Sequence, residues 1–255
     1  MGQYEEKGIA KEYGNDNRLD NPVRKMFYDQ WTYLCQLMTG GLRDINVCDI
    51  GCGAGVSSRL LADLGAIVVG VERENKLLEI ACRKEEENPQ GINYFLGKLP
   101  FEMPGFEDDS FDLVTGAFLL HYAKSKDELK AMLREIYRIL KPGGCFVGIN
   151  HDPETPVVLT NDFFEKGIIP HKIRWGKCAA PWIEGSKIEA VIKGISKPIE
   201  AFWWKRETYQ NAFIDSGLNP FSWQFFKFPD KQRPANWEDA EKNFCIRLMA
   251  GEKPG

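Results

Sequence analysis

The stretch VCDIGCGAGVSSRLLADLGAIVVGVE, residues 47–72, decides how this chain folds. A short buried-strand pattern, VCDI, runs into a loop with glycine at positions 51, 53 and 55. The loop opens a helical segment, VSSRLLADLG, that Gly65 stops, and AIVVGVE follows as a second apolar strand. Strand, helix and strand in so few residues is close to the minimum for a parallel crossover. A glycine-rich loop at the carboxyl edge of a parallel sheet lies where such folds bind ligands, and it offers free backbone N–H groups to them. A nucleotide-like ligand is therefore expected.

The pattern continues outward in both directions. Upstream, residues 22–39 place Val23, Met26, Phe27, Trp31, Leu34 and Leu37 near helical spacing, with Pro22 suited to a first turn. Downstream, KLLEIACRKEEE reads as helix, INYFLGKL and SFDLVTGAF as strands three and four, KDELKAMLREIYRIL as helix, and GCFVGIN as strand five after the turn Lys141-Pro142-Gly143-Gly144. Such alternation predicts an open parallel sheet with helices on both faces. Beyond Asn150 the period is lost. Residues 151–203 carry Pro153, Pro156, Pro170, Pro181 and Pro198 among short apolar pieces, and are expected to form an insertion over the site or a loosely structured linker. Order returns with KRETYQNAFIDSG as a helix and FSWQFFKF and NFCIRLMAG as strands.

Composition narrows the function classes. The chain has 255 residues, 43% of them hydrophobic, enough for a full core. With 33 basic and 37 acidic residues interspersed and a formal net charge of −4, it has no basic stripe for nucleic acid. The start MGQYEEKGIAKEYG lacks the apolar core of a signal peptide, Glu6 stands where a myristoylation signal needs Ser or Thr, and no apolar run is long enough to span a bilayer. The seven cysteines form no C-x-x-C pair, so neither a disulfide framework nor a bound metal is expected, and the setting read from them is a reducing, cytoplasmic one.

The dinucleotide fingerprint G-x-G-x-x-G needs glycine at position 56 when counted from Gly51, and Val56 stands there; no Gly-Lys-Ser/Thr follows either. The nicotinamide and P-loop readings weaken accordingly. The loop Asp49-Ile50-Gly51-Cys52-Gly53-Ala54-Gly55 resembles instead the first motif of class I S-adenosylmethionine-dependent methyltransferases. Glu72 matches the acid that in this family accepts from both ribose hydroxyls, FDLVTGAFLLHYA its fourth strand and following turn, and LREIYRILKPGGCFVGIN its helix and the entry to strand five. The resemblance covers residues 45–150. Asp152-Pro153, the block FWWKRETYQNAFIDSGLNPFSWQ and the final FCIRLMAGEKP are more narrowly similar to small-molecule methyltransferases of the toxoflavin-biosynthesis N-methyltransferase type.

The resemblance implies a Rossmann-like, seven-stranded, mostly parallel sheet with an antiparallel last strand. It divides the chain into an N-terminal helical cover (1–40), a binding core (41–150), an insertion or lid (151–203) and a C-terminal helix and strands (204–255). It implies S-adenosyl-L-methionine as cofactor, S-adenosyl-L-homocysteine as product and a small-molecule acceptor, in a monomer or homodimer. The cofactor contacts it implies are Tyr13, Arg24, Asp49, Gly51, Cys52, Gly53, Gly55, Glu72, Arg73, Gly97, Lys98, Leu99, Ala117 and Phe118. Lys98 departs from the family's Asp on the adenine amino group, which leaves the backbone of Gly97–Leu99 or another carboxylate to accept that bond. Three residues are candidates for catalysis, His151 and His121 as bases and Tyr122 to orient, because all follow strands four and five at the binding edge. Tyr4, Tyr122, His151, Asp152, Trp175 and Trp182 are the expected substrate contacts; His171 reads as a surface residue. Each has a plainer reading as turn, cap, strand-end charge or core. A non-catalytic S-adenosylmethionine sensor or partner subunit would keep the same loop and acid.

Overall fold

The computed structural model describes residues 9–14, 22–101, 103–154, 171–175, 183–193, 195–224 and 246–255. Helices α1 (Ile9–Gly14) and α2 (Pro22–Thr39) precede the core. There β1 (Asn46–Ile50), α3 (Val56–Asp63), β2 (Ile67–Glu72), α4 (Asn75–Glu87), β3 (Asn93–Leu96) and β4 (Phe111–Ala117) alternate as expected. A 3-10 turn at Leu120–Tyr122 leads to α5 (Lys126–Ile139) and β5 (Leu140–His151). Three short strands follow, β6 (His171–Trp175), β7 (Lys187–Ile192) and β8 (Ile199–Phe202), and then α6 (Arg206–Asp215), β9 (Phe221–Gln224) and β10 (Ile246–Glu252).

The main sheet has seven strands in the order β3-β2-β1-β4-β5-β10-β9. Strands β1 to β5 are parallel, and β10 runs antiparallel between β5 and β9. The order reverses between β1 and β4, so their carboxyl ends open a crevice there. Both faces are covered, which is why the strands read as near-continuous apolar runs. Val47, Leu113, Val147 and Leu248 pack under α2 and α3, whereas Cys48, Val114, Phe146 and Met249 pack under α5 and α6. Trp31 of α2 is fully buried and its Nε1 donates to the Val147 carbonyl at 3.4 Å.

Two parts differ from the sequence reading. The ladder of β5 runs through the Lys141–Gly144 turn, because Gly143 N donates to the Lys253 carbonyl and Lys253 N to the Gly144 carbonyl. A distant segment thus satisfies a backbone that local signals mark as a turn. Within 151–203, β6, β7 and β8 form a separate antiparallel sheet, where a segment without regular period was expected. Ile188 and Ala190 of β7 and Ile199 and Ala201 of β8 face inward on a period of two. They share one apolar cluster with Ile9 and Ala10 of α1, Ala54 of the glycine loop and Leu77 of α4. The small sheet and α1 therefore stand together beside the carboxyl edge of the large one.

Candidate active site

A cleft of about 870 Å³, open to solvent, follows the carboxyl ends of β1, β2, β3 and β4. Ile50, Gly51 and Gly53 form its floor, Glu72, Arg73 and Leu77 one wall, and Gly97, Lys98 and Leu99 the end beyond β3. Ala117, Phe118, Leu119 and Tyr122 close the side beyond β4, and Lys124, Glu128 and Met132 come from the start of α5.

The glycines serve different ends. Gly51 takes φ 72° and Gly53 φ 56°, the left-handed region where a side chain is strained, and both line the cleft. Gly55 does not line it. A Cβ there would lie 2.6 Å from the Tyr94 hydroxyl, and one at Gly70 would lie 2.5 Å from the Tyr94 ring. Gly55, expected among the cofactor contacts, thus makes room for a tyrosine wedged beneath the loop. Gly55→Ala, with φ at 84°, should destabilise the fold by about 1–2 kcal/mol from left-handed strain alone. Tyr94→Phe should recover part of any excess in a denaturant double-mutant cycle.

Asp49 is also withdrawn from the cleft. Its Oδ2 accepts from the Ser57 and Ser58 hydroxyls at 2.6 Å each, and its Oδ1 from Thr115 at 3.0 Å. Burial raises its carboxyl above the ordinary range, against the pull of those three donors. It ties loop, helix α3 and strand β4 together and is not among the residues lining the cleft. Cys52 is buried, with its sulfur near the Gly53 carbonyl, so it too leaves the expected contact set.

Glu72 has a double position. Oε2 accepts from Gly53 N at 2.9 Å, and Oε1 from Arg73 N at 2.8 Å and Glu74 N at 2.9 Å. Burial nevertheless raises its carboxyl above the usual value. The acid braces the glycine loop from across the crevice and presents what remains of its acceptor capacity to the cleft. Beside it the Arg73 guanidinium sits 4.7 Å from the Tyr122 ring centroid, joining the β2 and β4 walls.

Beyond β4, Phe118 holds φ 57°, a strained value for a non-glycine residue, fixed by its N–H donating to the Ile149 carbonyl at 2.7 Å. Around it four rings meet. His121 lies 4.6 Å from Tyr122 and 5.2 Å from His151, and Phe118 lies 5.3 Å from His151, between ring centroids. The structure thus brings together the three residues expected in catalysis. His121 is buried, and burial is the main reason its pKa falls to about 4, helped by the charge of Arg73 and opposed by a hydrogen bond to Asn150. A neutral imidazole with so low a pKa is a weak base, which favours His151 for proton removal.

Asp152, expected on the substrate, is committed elsewhere. Its carboxylate accepts from Arg206 Nε and Nη2 at 2.8–3.1 Å and pairs with Arg247 Nη2 at 3.1 Å. Trp175 stacks edge-on with Trp203 at 5.9 Å in the cluster beside the cleft, and Trp203 Nε1 donates to the Pro153 carbonyl at 3.0 Å. Arg24 stands half-buried on α2, away from the cleft lining, and Tyr13 is on α1. Tyr4 and Trp182 lie outside the described residues. His171 opens β6.

The sequence reading missed Ile50, Leu77, Leu119, Lys124, Glu128 and Met132 among the lining residues. One signal could have found the last three: the Ser125 hydroxyl accepts from Glu128 N at 3.0 Å, an S-x-x-E capping pattern that fixes the first turn of α5 at this edge.

Residues 48–148 match a family model described as a methyltransferase domain. A curated relative, ubiquinone biosynthesis O-methyltransferase of Coxiella burnetii, is 31% identical over 126 residues, 49% of this chain and 48% of that protein. The chain thus spans about half the length of the curated relatives it matches. Two solved structures described as S-adenosylmethionine-dependent methyltransferases share the fold. That from Mesorhizobium loti has a TM-score of 0.59 at 22% identity, covering 86% of this chain and 95% of its own. That from Clostridium acetobutylicum has 0.62 at 14%, covering 93% and 96%. The seven-stranded sheet is the Rossmann-like methyltransferase fold, and no helix among the described residues is long and apolar enough to cross a membrane.

Proposed function

We propose that this protein is a class I S-adenosylmethionine-dependent methyltransferase acting on a small, flat aromatic or heterocyclic molecule at nitrogen or oxygen. The observation that carries the reading is Glu72, a buried carboxylate at the end of β2 that is hydrogen-bonded to the glycine loop and lines the cleft beside it. A ribose diol needs an acidic acceptor at that place. Gly51 and Gly53 leave the floor bare for close approach, and Leu77, Leu99 and Met132 supply apolar walls, so the residues present fit a nucleoside. Glu128 is the cleft's other carboxylate, with one oxygen accepting from Lys124 N at 2.8 Å. It and the backbone of Gly97–Leu99 are the candidates to accept from the adenine amino group.

When bound, S-adenosylmethionine supplies an electrophilic methyl group. The protein's part is then alignment of the acceptor in a water-poor site, with a base needed only where the acceptor carries a proton. Phe118, Tyr122 and His151 offer ring faces for a flat acceptor, and His151 is the candidate base. The narrower resemblance read from Asp152-Pro153 and residues 202–224 and 244–254 would favour nitrogen; the matched relatives do not support it, and the name of one, ubiquinone biosynthesis O-methyltransferase, would favour oxygen.

Calorimetry should show saturable binding of S-adenosylmethionine and S-adenosylhomocysteine. Absence of both heat and thermal shift at high ligand concentration would refute the reading. Glu72→Ala should weaken binding by about 1.5–3 kcal/mol, roughly ten- to 150-fold, through lost hydrogen bonds to a charged group. An unchanged affinity in a folded variant would assign Glu72 to loop bracing alone.

A further inference from the structure

We propose that Asn150 is a positioning residue that fixes the tautomer of His121, and that the bare Nε2 so created receives a neutral O–H or N–H carried by the methyl acceptor. The second half rests on the methyltransferase reading; the first does not. His121 Nδ1 stands 2.6 Å from Asn150 Oδ1, and a carbonyl oxygen has no hydrogen to give. The hydrogen in that bond must therefore sit on Nδ1. A neutral imidazole carries one N–H, so Nε2 is left as a lone pair. Asn150 is 1% exposed, and its side chain also neighbours the Tyr209 hydroxyl.

Nε2 makes no hydrogen bond among the described residues, and it is not sealed from solvent although the residue as a whole is only 3% exposed. An imidazole lone pair that no protein group occupies is open to a hydrogen bond from a ligand that bears a donor. The surroundings say what kind of ligand. Phe118 and Tyr122 line the cleft and flank His121, with His151 on a further side, so the imidazole stands among rings beside the cleft and a flat molecule suits its surroundings. The Arg73 guanidinium over Tyr122 and the burial of the ring both oppose an imidazolium, which keeps Nε2 an acceptor and never a donor at neutral pH. Such a site favours an unmethylated hydroxyl or ring N–H. It disfavours the methylated product, which has lost the hydrogen that Nε2 would accept. His121 then acts by holding and discriminating, and proton removal falls to another group.

The chain contains three histidines, His121, His151 and His171, so protein labelled with ¹⁵N in histidine yields a simple side-chain spectrum. His121 is assigned by its loss in His121→Gln. In the free protein at neutral pH, His121 should show a protonated Nδ1 and a bare Nε2. Asn150→Asp should keep that pattern while raising the pH at which the ring protonates, and Asn150→Leu should collapse the tautomer preference. A reversed tautomer in the wild type, or one indifferent to both substitutions, overturns the positioning role; if the leucine variant does not fold, the other two spectra still decide. With S-adenosylhomocysteine at saturation, phenol should shift the Nε2 resonance and anisole, which has no donor, should not. An equal response to both, or to neither, overturns the acceptor assignment. Failure to bind S-adenosylhomocysteine would remove the methyltransferase reading while leaving the tautomer result intact.

Discussion

Asp152→Ala is expected to destabilise the protein by about 3–5 kcal/mol, the range for breaking a buried ion pair from one side. The Asp152 side chain is 2% exposed and that of Arg247 3%, and the two meet at 3.1 Å. Arg206 completes the group with three hydrogen bonds to the same carboxylate, yet it keeps Glu154 at 2.7 Å when Asp152 is lost. The main cost therefore falls on Arg247, whose guanidinium stays buried with this carboxylate gone. The arrangement joins three parts of the chain: the residue after β5, the first residue of α6 and the second residue of β10. Its loss should loosen the C-terminal third from the core while leaving the cofactor cleft unaltered, because Asp152 is not among the residues lining that cleft. Urea unfolding should show the loss, and it should persist in high salt, since buried pairs are poorly screened. Cofactor affinity, measured where the variant is folded, should match the wild type. Wild-type stability would show that the carboxylate is replaceable there and that its pairing with two arginines is incidental.

The case of Asp152 shows what the sequence made legible and what it hid. Local signals sufficed for the crossover from Val47 to Glu72, since strand, glycine turn, helix and acid are contiguous and each has its own pattern. The edge on which His121, Tyr122, His151 and Asp152 fall was legible too, because each follows a recognisable strand. Which partner each side chain takes was not. Asp152 meets Arg206 and Arg247, residues 54 and 95 positions further on, and only the placing of β10 beside β5 brings them within reach. The same holds for Gly55, whose neighbour Tyr94 comes from β3. The small sheet escaped notice because strands of four to six residues, set among prolines, carry too few alternations to stand out from loop. In each instance a local pattern fixed position along the chain, whereas the chemistry depended on pairings between distant segments.

Acid should expose the other large effect. His121 has a folded pKa of about 4 against an ordinary 6.5, chiefly because its ring is buried. Below pH 6.5 the unfolded chain takes up a proton that the folded one refuses, so more protons are bound in the unfolded state and stability falls as pH falls. The contribution is fully present above the unfolded value and is lost as pH drops through the folded one. Over that window the difference amounts to about 3 kcal/mol at ~1.4 kcal/mol per unit. The charged or titratable groups facing the ring work in the same sense or are neutral: Arg73 repels an imidazolium, Tyr122 carries no charge here, and His151 adds repulsion whenever it is itself protonated. Carboxylates elsewhere also shift with pH, so the wild-type curve alone does not isolate this histidine. The difference between wild type and His121→Gln does. That variant should be less stable at pH 7.5, where Asn150 has lost its ring partner, and the gap should narrow by about 3 kcal/mol, or reverse, toward pH 4. Chemical denaturation of both proteins across pH 4 to 7.5 measures it. A gap constant with pH would mean that His121 protonates as readily folded as unfolded. The ring would then sit in water, and burial would not be what holds the imidazole neutral.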